Sequence, residues 1–105
     1  DPDYASAYNG RGVSYANLGQ YQTAINDYTK AIQLDPNATR YGNRGVSYHN
    51  LGQHQNALDD HTKSIQLEPT AGRYNNRSFV YRDLGQWTLS AADETMACSL
   101  DKQYC

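Results

Sequence analysis

Long apolar runs are missing from this chain of 105 residues, and none approaches the roughly 20 residues that a membrane-crossing helix needs. A basic excess is missing too. Nine Lys and Arg stand against eleven Asp and Glu, for a net charge of −2, which excludes the electrostatic footprint of a nucleic-acid binder. Ordinary core formers are scarce: hydrophobic-class residues make up 38%, ten of them tyrosines, against one Phe, one Trp and one Met. An aromatic, amphipathic core of this kind suits stacked layers, each of which buries only a stripe against its neighbours. There is no glycine-rich loop to cradle a phosphate, and no spacing gathers Ser, His and Asp into a catalytic set. Asp59-Asp60 is not a working carboxylate pair, because adjacent helical residues point about 100° apart. No enzyme activity and no cofactor is expected. Cysteine is nearly absent. Cys98 and Cys105 could bridge only if the chain folds back after Leu100, so a reduced, buried Cys98 and a frayed Cys105 are expected.

What the chain does have is internal repetition. The stretch from Gly12 to Pro36 returns, altered, as Gly45 to Pro69, and in a more degraded form from Ser78 to Lys102. Tyr15, Tyr48 and Tyr81 are spaced by 33 residues, as are Asp27, Asp60 and Asp93. Leu18-Gly19-Gln20 becomes Leu51-Gly52-Gln53 and Leu84-Gly85-Gln86. Asp1-Pro2 matches Asp35-Pro36 and Glu68-Pro69, so the chain reads as a piece of a longer polypeptide. At this size it is one domain.

Each unit reads as two helices. Tyr4, Ala7, Tyr8, Arg11, Tyr15 and Leu18 recur at three- and four-residue steps, which is helical spacing, with Asp3 as the expected N-cap. Gly19 supplies the left-handed residue that ends this helix. Tyr21, Ala24, Ile25, Tyr28, Ala31 and Ile32 form the stripe of a second helix, stopped by Asp35-Pro36. A turn this short makes the two helices antiparallel neighbours. The spacing predicts helices over about 4–18, 21–34, 39–51, 54–67, 72–84 and 87–100. Small residues mark close approaches: Gly12 and Gly45 on the first helices, Ala24 and Ala57 on the second, with Ser78 and Ser90 in the third unit.

These residues resemble the tetratricopeptide repeat, a helix–turn–helix unit of about 34 residues. Unit one matches its pattern at Tyr8, Gly12, Tyr15, Gly19, Ala24, Tyr28, Ala31 and Pro36. Unit two matches at Tyr41, Gly45, Tyr48, Gly52, Ala57 and Pro69, with His61 for an aromatic and Ser64 for an alanine. Unit three keeps Tyr74, Tyr81, Gly85 and Ala97, with Glu94 for the aromatic and Lys102 for the proline. The resemblance implies an all-α fold: a right-handed superhelical solenoid of three antiparallel repeats, at about 5–38, 39–71 and 72–105. It implies a non-catalytic scaffold that binds a protein or peptide on its concave face, without nucleic acid and without insertion into a membrane. The alternative is an assembly module. Its last helix, uncapped, would expose Ala91, Met96, Cys98 and Leu100 and could form a homo-oligomer.

By position, the resemblance places the groove at Asn9, Val13 and Asn17; at Asn43, Val46, His49 and Asn50; and at Asn75, Asn76, Phe79, Arg82 and Asp83. Asparagine amides carry donors and acceptors that suit an extended backbone. One form of the family grips a terminal carboxylate with a lysine–asparagine–lysine–arginine clamp. Here Asn9, Val13 and Asn76 replace clamp residues and only Asn43 matches, so that mode is not expected. The family's leucine before the first glycine is Arg11, Arg44 and Arg77. With Asp27, Asp60 and Asp93 repeated alongside, an ion pair is expected in each unit, within it or across to the next; the rival is an arginine ladder reading an acidic ligand, since Arg40/Arg44 and Arg73/Arg77 are also four apart on one helix stripe. His54 and His61 replace Tyr21 and Tyr28, so they are core or boundary positions and no metal site is expected. His49 remains a candidate groove contact.

Overall fold

The turns carry the architecture. Gly19, Gly52 and Gly85 have φ of +78°, +78° and +73°, the left-handed region that a side chain resists. Each lets the chain reverse while the amides of Gln20, Gln53 and Gln86 donate back to the Tyr15, Tyr48 and Tyr81 carbonyls at 2.9 Å. The computed structural model describes the backbone from Pro2 to Cys105 and the side chains from Tyr4. Six helices result: α1 (Pro2–Asn17), α2 (Tyr21–Leu34), α3 (Ala38–Asn50), α4 (His54–Leu67), α5 (Ala71–Asp83) and α6 (Trp87–Leu100). A short 3₁₀ helix, Lys102–Tyr104, follows, and there is no strand among the described residues. The pairs α1–α2, α3–α4 and α5–α6 pack antiparallel, and α2 meets α3 as α4 meets α5. The fold is therefore an all-α repeat solenoid, with helix ends within about two residues of those predicted. The cap expected at Asp3 lies outside the described side chains. Asn37 and Thr70 cap the two later first helices, accepting from the Arg40 and Arg73 amides at 2.8 and 3.4 Å.

Inside each pair the repeated arginine meets the repeated aspartate. Arg11, Arg44 and Arg77 each donate twice to Asp27, Asp60 and Asp93, all at 2.8 Å. The pairs form within the unit, while Arg44 and Arg77 also reach back to Thr29 and Thr62 of the preceding unit at 3.2 Å. Each guanidinium lies between two tyrosine rings, 5.6 to 6.0 Å from their centroids. The hydrogen bonds to the aspartates are the largest cause of a raised pKa in all three arginines. The ladder reading fails because these cations are already bound.

The first-helix glycines face rings. A Cβ on Gly12 would lie 2.7 Å from Tyr28, and one on Gly45 would lie 2.9 Å from His61. In the third unit Ser78 replaces the glycine and Glu94 replaces the ring. Glu94 turns outward to Arg82, leaving room for the buried Ser78. An apolar cluster lies between α4 and α5, where Ala57, Leu58 and Val80 pack with Tyr81 and with Tyr48 of α3.

The cysteine expectation is overturned. Cys98 and Cys105 form a disulfide, with Cα atoms 4.6 Å apart. The 3₁₀ helix turns the chain back along α6, and the Cys105 amide donates to the Lys102 carbonyl at 3.0 Å. That reversal has no glycine or proline to announce it. On α6, Trp87, Leu89, Met96 and Leu100 are exposed, which extends the apolar surface expected there.

Candidate functional site

The first helices of the three units share one side of the stack. A cleft of about 190 Å³ runs between α1 and α3, lined by Val13, Ala16, Asn17, Asn43, Val46 and Ser47, with Tyr28 of α2 behind them. A second, of about 280 Å³, runs between α3 and α5. Ala38, Thr39, Gly42, Asn43 and Val46 form one wall, and Thr70, Gly72, Arg73 and Asn76 form the other. Asn43 and Val46 line both clefts and so stand on the wall that the two share.

Five residues named from sequence thus line the clefts directly: Val13, Asn17, Asn43, Val46 and Asn76. Asn9 lines neither cleft, but its side-chain Oδ1 accepts from Asn43 Nδ2 at 3.3 Å. The remainder are placed differently. His49 Nε2 sits 2.6 Å from Asp83 Oδ2, linking α3 to α5, so these two candidate contacts satisfy each other. Arg82 pairs with Glu94 of α6 and stacks over Phe79, 5.3 Å from its centroid. Phe79 is 41% exposed and Asn50 is also exposed, and neither lines the two clefts.

Thr39, Thr70, Gly72 and Arg73 were not singled out for the groove. Their signal lay in the sequence, at the start of each unit's first helix. There the chain crosses the end of the preceding helix, so a residue near the cap reaches the neighbouring unit. Arg73 does so, donating from Nε to Ser64 Oγ at 3.0 Å.

Titratable groups near the clefts are few. His61 is buried against Gly45, and burial pushes its pKa down to about 4, with smaller contributions from His49 and Arg77. Its Nδ1 has no hydrogen-bond partner. Burial also raises the pKa of Tyr28. Among the described residues no three His, Cys, Asp or Glu side chains converge as metal ligands do. No helix there is long and apolar enough to cross a membrane.

Comparison with known proteins agrees with the fold. A family model described as tetratricopeptide repeat matches residues 5–38 and 38–71. No curated protein sequence matches the chain. Among solved structures, the Arabidopsis OM64 TPR domain superposes with a TM-score of 0.94 at 29% identity, over 97% of this chain and 86% of that one. The second TPR of Spaghetti (RPAP3), bound to the HSP90 peptide SRMEEVD, gives a TM-score of 0.90 at 25% identity over 95% and 94%. The second TPR domain of human RPAP3, in complex with the HSP70 peptide SGPTIEEVD, gives 0.91 at 26% over 97% and 88%.

Proposed function

This chain belongs to the tetratricopeptide repeat family, and from that premise we propose that it is a non-catalytic scaffold that holds an extended segment of a partner protein along α1, α3 and α5. One observation carries the reading: Asn43 and Val46 line both the α1–α3 and the α3–α5 clefts, so that amide and apolar side chains of successive units stand side by side along the first helices. Val13 and Val46, 38% and 41% exposed, offer contacts to side chains. Asn9, Asn17, Asn43 and Asn76 offer donors and acceptors to a peptide backbone. His49, Asn50, Phe79 and Arg82 extend the surface toward the far ends of α3 and α5. The RPAP3 domains, which superpose along nearly their whole length, hold peptides.

A random-peptide display library panned on the intact protein tests this. Retained peptides should be lost from an Asn43→Ala/Val46→Ala variant that keeps its helical circular dichroism. Undiminished capture by that variant would remove the groove assignment.

A second reading rests on α6. Trp87, Leu89, Met96 and Leu100 are 64%, 48%, 43% and 52% exposed on one terminal helix, which suits docking to another copy. Light scattering over a concentration series decides it, since a strict monomer at high concentration eliminates self-association.

A further inference from the structure

Each unit is joined to the next by the same contacts, and the two outer helices carry the unused halves of that joint. Arg44 Nη1 donates to Thr29 of α2 and Arg77 Nη1 to Thr62 of α4, both at 3.2 Å. Leu58 of α4 packs with Val80 of α5 in the second of these joints. The register of 33 residues assigns the corresponding parts on α1 and α6. Arg11 stands where Arg44 and Arg77 do. It is held on Asp27 through Nε and Nη2, and its Nη1 has no hydrogen-bond partner among the described residues. Its side chain is 59% exposed, against 19% for both counterparts. A cleft of about 230 Å³, lined by Tyr4, Ala7, Tyr8 and Arg11, opens on this face. On α6, Ala91 and Thr95 stand where Leu58 and Thr62 do, and both are exposed. One end of the stack thus presents the donor of the joint and the other end presents its acceptor.

The turn after α6 lies across part of the acceptor face. Tyr104 falls at the register position of Ala38 and Ala71, the buried residues that begin α3 and α5. Its hydroxyl lies against Gly72, the counterpart of Thr39 and Ser6, which receive Arg73 and Arg40 of the units that follow them. Residues 102–105 therefore stand in for the first turn of an incoming first helix. The bridge to Cys98, which occupies the place of Ile32 and Ile65, ties them there.

We propose that copies of this chain stack head to tail, α1 of one on α6 of the next, in the register of α3 on α2, and that the Cys98–Cys105 bridge weakens the contact by holding residues 102–105 in its way. Arg11 Nη1 of one copy donates to Thr95 of the next, as Arg44 does to Thr29. The two faces differ, so the contact does not close on itself and adds copies in a row. This rests on the self-association reading above and names the face that α6 meets. A dithiol reductant strengthens the contact. It supplies two electrons and two protons, the Cys98–Cys105 bond breaks to two thiols, and the reductant closes to its own disulfide. The freed tail then yields its place to the incoming helix.

Sedimentation velocity on the intact protein over a concentration series, with and without dithiothreitol, tests this. Species should grow beyond the dimer, and the reduced protein should associate about tenfold or more tightly than the bridged one, as should Cys98→Ser/Cys105→Ser without reductant. Thr95→Arg sets a like charge against Arg11 of the next copy. Ala7→Glu sets a carboxylate against Asp101, which stands where Asp35 meets Arg40. Both positions are exposed, so both variants should keep their helical circular dichroism. Each alone should self-associate about tenfold or more weakly, yet a mixture of the two should form one-to-one pairs, because each keeps one intact face. A species that stops at a closed dimer, or an Ala7→Glu variant that associates like the unaltered protein, overturns the head-to-tail contact and leaves self-association through α6 standing. Equal association with and without dithiothreitol overturns the part given to the bridge. A monomer under every condition overturns both the stacking and the self-association reading. If either variant loses its helical signal, the size and reductant response of the unaltered protein still decide.

Discussion

Arg44 and Asp60 face each other across the α3–α4 turn through two parallel hydrogen bonds of 2.8 Å. The aspartate side chain is 6% exposed and the arginine 19%, so each desolvates the other. Arg44→Ala would leave a buried carboxylate without its counter-charge, a loss of roughly 3 kcal/mol. Arg44→Lys retains the charge but not the two-point geometry and should lose about 1 kcal/mol. Urea unfolding measures both. Arg11→Ala should be milder than Arg44→Ala, because Arg11 is 59% exposed and water already competes for Asp27. Equal stability of Arg44→Ala and the unaltered protein would show that the pair does not hold the repeat together.

Glycine substitutions should split by position. Gly45→Ala drives a methyl to 2.9 Å from the His61 ring, and should destabilise by about 1–3 kcal/mol through overpacking. Gly10→Ala, also within a helix, meets nothing within 4 Å and should stabilise by up to about 1 kcal/mol through helix propensity. Thermal melts of the two variants should move in opposite directions.

His61 should make stability depend on pH. Its folded-state pKa is pushed down to about 4 by burial, from the ordinary 6.5 that the unfolded chain has. Below 6.5 the unfolded chain therefore binds the proton that the folded protein refuses. This contribution is complete above 6.5 and is lost as pH falls toward 4, by roughly 3 kcal/mol in all. Denaturant midpoints across that window should slope less in His61→Phe. An undiminished slope in that variant would assign the effect to other groups.

The Cys98–Cys105 bridge should hold the chain's last turn in place. It keeps the Tyr104 hydroxyl beside Gly72, 3.4 Å from where a Cβ would stand. Reduction, or Cys98→Ser/Cys105→Ser, should free residues 102–105 and lower stability by at most about 2 kcal/mol, since the closed loop is short. Trypsin cleavage after Lys102 should speed up on reduction while helical circular dichroism barely changes. An unchanged cleavage rate would mean that the turn is held without the bridge.

Much of this was legible in the chain itself. The three left-handed glycines, the stripe spacing and the Arg–Asp recurrence depend on local geometry repeated every 33 residues, and local geometry is written in sequence. Within the candidate site, Asn43 and Val46 were legible because the repeat fixes which face of a helix each position occupies. The pairing of His49 with Asp83, and of Arg82 with Glu94, was not. Each joins two different helices, and their meeting depends on how units or helices rotate against each other. The place of Arg73 in the cleft was hidden for the same reason, since it depends on α5 crossing the end of α4.

The sequence by itself determined that this protein is a stack of helix pairs with packing residues at set positions, because each pair forms from contacts within one short stretch of chain. Only the tertiary structure decided which partners the side chains of different units meet. Arg40 and Arg73 are the same residue at the same place in the repeat, yet Arg40 meets Asp35 at 3.1 Å, while Arg73 lies 3.8 Å from Glu68 and is held at shorter range by the hydroxyls of Ser64, Thr70 and Thr39.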